Sequence, residues 1–146
     1  MCSSDLFPSH DRAENENTSS ETLDKLADDE YWGVRFKVAE HPNTSSETLD
    51  KLADDENKNV NRSVAENPNT SVETLIKLAE NTNHPEVLDV LSKVDNKEVQ
   101  LAVVDNENTN PKNLFNLAEN TNHPEVLDKL ADSNFDAIKV VIAIIS

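Results

Sequence analysis

The chain repeats itself, and the period of the repeat limits what it can fold into. Asn17 to Glu30 reads NTSSETLDKLADDE, and Asn43 to Glu56 reads the same fourteen letters 26 positions later. A second string, LAENTNHPEVLD, occurs at Leu78–Asp89 and again at Leu117–Asp128, 39 positions on. Both offsets are multiples of 13, and cutting every 13 residues from Asn17 gives ten whole units ending at Ser146. Leucine then holds unit position 7 in Leu23, Leu49, Leu75, Leu88, Leu101, Leu114 and Leu127. Pro85, Pro111 and Pro124 share position 4, and Pro42 and Pro68 share the last position. An apolar content of 36% with 29% charged residues would otherwise suit a disordered chain. Disorder gives no reason to keep such a register, so residues 17 onward are read as ordered.

The units are of two kinds. In the A kind, Leu49, Leu52 and Ala53 are spaced i, i+3, i+4, which is one face of a helix. Thr44 with Glu47 reads as a capping box at its start, repeated by Thr18/Glu21 and Thr70/Glu73. Glu47/Lys51, Glu21/Lys25, Glu73/Lys77 and Glu125/Lys129 read as i, i+4 ion pairs on the outer face. The units starting at Thr82 and Thr121 open with His-Pro-Glu, and proline is tolerated in a first helical turn. In the B kind the stripe is Val34/Val38/Ala39, Val60/Val64/Ala65, Val99/Val103/Val104 and Ile138/Ile142/Ala143. His-Pro or Asn-Pro stops the first two of these helices. The order is A B A B A A B A A B.

Helices of about 8–9 residues are not stable alone and must bury their stripes against neighbours. The pattern therefore predicts an all-α chain, a short helical-repeat superhelix: an α–α solenoid of ten ~13-residue helix units. Strands are a poor alternative, because only the last unit has a β-branched run. Residues 1–16 are read as an N-terminal segment with a decayed half repeat, since Ala13-Glu14-Asn15-Glu16 copies the tail of a B unit; residues 17–146 form the solenoid.

The string Val34-Arg35-x-x-Val38-Ala39-x-His41-Pro42-Asn43-Thr44, followed by Leu49-x-x-Leu52-Ala53-x-Asp55, resembles the leucine-rich repeat variant family. Val60, Val64-Ala65, Asn67-Pro68, Thr70, Leu75 and Leu78-Ala79 match the pattern again, and the resemblance covers about residues 13–146. It implies a superhelix similar to HEAT and armadillo proteins, with alternating α- and 3₁₀-helices, and a binding scaffold rather than a catalyst. The chain departs from the family in its longer period and in the extra A-type helices at Thr82–Val94 and Thr121–Ser133. A founding member carries an amino-terminal iron–sulfur cluster, which a chain whose only cysteine is Cys2 cannot hold.

Composition narrows the chemistry. Thirteen Lys+Arg against 29 Asp+Glu give a net charge of −16, which disfavours nucleic acid and anionic membranes as partners. A single cysteine excludes a disulfide framework and multi-cysteine metal sites. Neither an apolar run of ~18 residues nor a secretory signal is visible, so a cytoplasmic location is expected. With Gly33 the only glycine there is no phosphate loop. No nucleophile–base constellation stands out, so no enzyme, cofactor or metal is expected. His84 and His123 share a unit position but lie three units apart, too far for a common ion, and are read as caps ahead of proline. The triplets Asp28-Asp29-Glu30 and Asp54-Asp55-Glu56 precede B helices, where negative charge favours the helix dipole, and no EF-hand-type loop accompanies them. Sequons at Asn17, Asn43, Asn61 and Asn69 are expected to stay unmodified without a signal peptide.

Three groups remain as candidates. Position 6 of the B units holds Arg35, Asn61, Gln100 and Lys139, which suit either a polar ladder between repeats or a concave binding row. Tyr31 and Trp32 are adjacent at the start of a B helix, and either anchor a partner or cover helix ends. In the last unit Val141, Ile144 and Ile145 replace the mainly polar residues of other B units (Lys37, Glu40, His41; Ser63, Glu66, Asn67). An apolar outer face there predicts self-association into a homo-oligomer or an array cut short. The reading of the whole is a non-catalytic protein–protein interaction module with an unknown protein partner. The alternatives are an acidic decoy whose carboxylate rows imitate nucleic acid and occupy a basic partner, or a truncated fragment of a longer repeat protein.

Overall fold

A computed structural model describes residues 9–132. Within that span every regular element is an α-helix: α1 Ser9–Glu14, α2 Ser20–Leu26, α3 Trp32–Glu40, α4 Ser46–Leu52, α5 Lys58–Glu66, α6 Val72–Asn81, α7 Pro85–Ser92, α8 Lys97–Asp105, α9 Pro111–Asn120 and α10 Pro124–Ala131. From α2 on, each helix occupies one 13-residue unit. The B helices α3, α5 and α8 are nine-residue α-helices, not the 3₁₀ turns that the resemblance implied. The physical reason is the spacing of their stripes. Val34, Val38 and Ala39 share a face only at about 3.6 residues per turn, whereas a 3₁₀ helix would aim i and i+4 apart.

The stripes are the core. Leu23, Val38, Ala39, Leu49, Val60 and Val64 are fully buried in the first half of the chain, and Leu88, Leu91, Val99, Val103, Leu117 and Leu130 in the second. Val104, expected in its stripe, is only half-buried. In α10 the core place goes to Val126, and Leu127 is half-buried.

The chain divides into two compact units, Met1–Thr74 and Leu75–Ser146. In the first, α3 packs on α1 and on α5, while α2 packs on α1 and α3, and α4 on α3 and α5. B helix thus stacks on B helix. In the second unit α7 packs on α9 and α8 on α10. The extra A-type unit that forms α7 shifts the alternation by one helix, so the B helix α8 stacks on the A-type α10.

The helix starts differ from the expected capping boxes by one residue. Ser45, not Thr44, is the N-cap of α4: its φ/ψ of −72°/159° is extended, and its hydroxyl accepts the Thr48 N–H at 3.2 Å. Ser19 and Ser71 do the same for Thr22 and Thr74. The threonines serve the preceding helix instead. Thr44 Oγ1 donates to Val38 O at 2.6 Å, Thr70 to Val64 O at 2.6 Å and Thr109 to Val103 O at 2.6 Å, a second donor on the carbonyls that take the C-cap N–H.

Two of the four expected ion pairs, Glu47/Lys51 and Glu125/Lys129, are replaced by others. Lys51 Nζ lies 3.4 Å from Asp24 and 3.3 Å from Asp28 of the preceding A unit rather than on Glu47. Glu125 takes Lys97 at 3.1 Å, and Lys129 pairs with Asp105. These links run between units, where stacking places one helix's carboxylates opposite another's ammonium groups. Among the described residues no helix is long and apolar enough to cross a membrane.

Candidate functional site

The position-6 side chains reach back toward the preceding A helix, and their length sets how far. Asn61 is short; its Nδ2 donates to Leu52 O at 3.4 Å and Ala53 O at 3.2 Å, carbonyls at the end of α4. Gln100 is longer and reaches the loop beyond, with Nε2 on Val94 O at 2.8 Å and Oε1 accepting Thr121 Oγ1 at 2.6 Å. Arg35 reaches the equivalent loop: Nη1 donates to Asp29 O at 2.9 Å and Glu30 O at 3.0 Å. Its other edge grips the next A unit, with Nε on Asp55 Oδ2 at 2.5 Å and Nη2 on Asp55 Oδ1 at 3.2 Å. That hydrogen-bonded carboxylate raises the Arg35 pKa further and keeps the group charged. Asn61 and Gln100 are 5% and 2% exposed, so their amides work between units inside the protein. Lys139 lies outside the described residues.

A second ladder emerges only from the stacking. Asn67 Nδ2 donates to Ala39 O at 2.8 Å and His41 O at 3.1 Å, while its Oδ1 accepts the Asn69 N–H at 2.8 Å. Asn106 repeats this on Ala79 O and Thr82 O. His41 holds the same unit position: Nδ1 accepts the Asn43 N–H at 2.9 Å, so Nε2 carries the proton and donates to Asn15 O at 2.7 Å. Asn43 and Asn69 add a row, each donating to two carbonyls one repeat back. The signal in the sequence is an amide or imidazole at unit position 12, which taken locally is indistinguishable from turn chemistry.

The A helices carry a row of their own. Thr48 Oγ1 donates to Asp24 Oδ1 at 2.9 Å, and Thr74 Oγ1 to Asp50 Oδ1 at 2.9 Å. The Thr48 hydroxyl first, then Lys51, hold the Asp24 carboxyl below the usual aspartate range. Much of the negative charge is thereby joined to its neighbours. Asp29 and Asp55 each accept an N–H two residues on, from Tyr31 and Asn57, at 2.9 Å. His84 and His123 do occupy N-cap positions, but neither side chain caps its helix; their N–H groups bond to Thr82 and Thr121 hydroxyls, and His123 Nε2 lies 3.1 Å from Asp95. The expectation of imidazole capping is corrected: neither ring bonds to the first turn that proline opens.

Tyr31 and Trp32 stand outside all of these ladders. Tyr31 is 58% and Trp32 39% exposed. Their ring centroids are 6.1 Å apart, and Trp32 meets Phe36, one turn on, edge-to-face at 6.1 Å. Two local features support this arrangement. Tyr31 is the N-cap of α3 but makes no side-chain cap bond, whereas Asn57 at the same position of α5 accepts the Asn59 and Val60 N–H groups. An absent cap costs about 0.5–2 kcal/mol. Gly33 lies beneath the Tyr31 ring: a Cβ there would stand 2.6 Å from Tyr31 Cε2 and 2.8 Å from Cζ. Glycine within a helix costs up to about 1 kcal/mol relative to alanine. The Asp28–Glu30 loop leading into Tyr31 also lines an open groove of about 410 Å³ shared with Arg35, Lys51 and Asp55. Val141, Ile144 and Ile145 lie outside the described residues.

No curated protein and no solved structure matches this chain. Residues 32–57, which build α3 and α4 and carry Trp32, Arg35, His41 and Asp55, match the family model described as leucine rich repeat variant, and over that repeat the resemblance read from the residues holds.

Proposed function

We propose that this chain is a non-catalytic protein-interaction module, a short HEAT- and armadillo-like stack whose ladders fix the backbone while its outer positions address a protein partner. The observation that carries this is the contrast within one duplicated unit. Identical A segments precede α3 and α5, and both B helices keep their buried Val-Val-Ala stripe. Their outer residues are exchanged: Tyr31, Trp32 and Phe36 against Asn57, Lys58 and Arg62. Selection for folding alone has no use for exposed aromatics at positions that polar residues fill equally well.

The decoy alternative needs rows of free carboxylates. Asp24, Asp28, Asp55 and Asp105 engage neighbouring units instead, which favours the module. The test is affinity capture on the full chain, then titration of each purified captured protein. A saturable complex weakened by Tyr31→Asn/Trp32→Gln supports the module. Binding through charge alone, indifferent to that double variant, returns the decoy, and the absence of any saturable protein complex overturns both.

A further inference from the structure

We propose that Tyr31 and Trp32, with the carboxylates of the Asp28–Glu30 loop, form a seat for an arginine side chain on a basic segment of the partner. This rests on the interaction-module reading and names the chemistry of the partner. The fold does not require the seat, since α5 occupies the same place in the repeat with Asn57 and Lys58. Placing it gives up a helix cap at Tyr31 and puts the chain's one glycine under the ring. The two rings are tilted by 55° rather than stacked on one another, and both residues stay exposed. An aromatic face attracts a cation, most strongly at tryptophan, and a flat guanidinium also stacks on it.

The charges around the seat choose the same partner. Asp28, Asp29 and Glu30 run directly into Tyr31, and the Asp28 side chain is 73% exposed even while it meets Lys51. Arg35 is taken by Asp55, so it does not neutralise Glu30, whose backbone oxygen alone it touches. An anionic partner would be repelled, and a purely apolar one would leave the exposed Glu30 carboxylate unmatched. The row already accepts a cation: Lys37 Nζ lies 5.6 Å from the centre of the Phe36 ring.

The full chain is titrated with acetylated hexa-arginine amide at about 150 mM salt, where long-range attraction is screened. Calorimetry gives Kd, and Trp32, the only tryptophan, reports by fluorescence. Hexa-arginine should bind saturably and shift the emission, hexa-lysine should bind several-fold more weakly, and hexa-glutamate not at all. Tyr31→Asn/Trp32→Gln, which leaves the charge unchanged, should weaken hexa-arginine about tenfold or more with the helical circular dichroism intact. Glu30→Gln should weaken it several-fold. The proposal is overturned if hexa-arginine fails to bind the wild type, or binds the double variant with equal Kd. A captured protein that needs Trp32 yet is not displaced by hexa-arginine overturns this inference and leaves the module standing.

Discussion

Helices α3 and α5 are the same repeat solved twice. Each follows an identical A segment, buries the same stripe and stacks on the other. Each is tied down at three points: the start of the helix, position 6 and the C-cap. In α5 all three are asparagines, Asn57, Asn61 and Asn67, and all three side chains bond to backbone. In α3 they are Tyr31, Arg35 and His41, of which only the last two do. One residue type suffices to hold a repeat of this kind. Where α3 departs from it, the departure either carries a longer reach, as at Arg35, or gives up the side-chain bond to the helix start, as at Tyr31. That difference separates structural polarity from surface available to a partner.

The comparison can be broken most severely at Arg35. Its side chain is 17% and that of Asp55 8% exposed, so Arg35→Ala strands a nearly buried carboxylate and two carbonyls. A loss of about 2–3 kcal/mol in urea unfolding is expected. Arg35→Lys should recover only part of it, because an ammonium cannot hold both edges of the fork. Next comes His41. His41, 4% exposed, bonds the Asn43 N–H and Asn15 O; His41→Ala orphans the first and leaves the second with only the Thr18 N–H, for about 1–3 kcal/mol. His41→Asn, copying α5, should retain most of the stability; a loss as large as that of His41→Ala would sink the equivalence of the two C-caps.

Tyr31 should respond with the opposite sign. Tyr31→Asn supplies the missing cap and should raise stability by about 1 kcal/mol, read as a higher urea midpoint. A lower midpoint would mean that the ring holds the fold together. Gly33→Ala meets a movable ring rather than backbone. It should leave the midpoint unchanged or higher by up to about 1 kcal/mol, while shifting Trp32 emission as Tyr31 is displaced.

The smallest expected effect is electrostatic. The Asp24 carboxyl is held below its ordinary range in the folded chain, so its link to Thr48 and Lys51 adds stability above the unfolded value of about 3.9 and loses it as pH falls through the folded value. At this exposed site the contribution is a few tenths of a kcal/mol. The gap between wild type and Asp24→Asn in urea midpoints should be present at neutral pH and close as pH falls through the lowered folded value.

Much of this is legible in the letters and some is not. The one-per-unit rhythm and most of the buried stripes follow from spacing within a few residues. The i, i+3, i+4 spacing of Leu49, Leu52 and Ala53 is enough to assign all three to the core, where they lie. The capping hydroxyl differs from its expected place by one residue. Thr44 and Ser45 are adjacent acceptors, and only the path of the chain out of α3 decides that Thr44 turns back to Val38. Lys51 has Glu47 at helical spacing, yet the competing Asp24 and Asp28 are near it only once the units stack. Tyr31 and Trp32 are visible as a pair in the sequence, but their exposure, and the glycine's role in admitting the ring, are not.

The sequence by itself determined the period, the all-helical class and the inward faces, because these depend on φ/ψ preference and hydrophobic spacing over one or two turns. Tertiary structure alone decided which polar side chains join repeats and which face outward. Those contacts link residues about one 26-residue repeat apart, as Asn67 does to Ala39 and Thr48 to Asp24, and no local pattern records which donor will find which carbonyl.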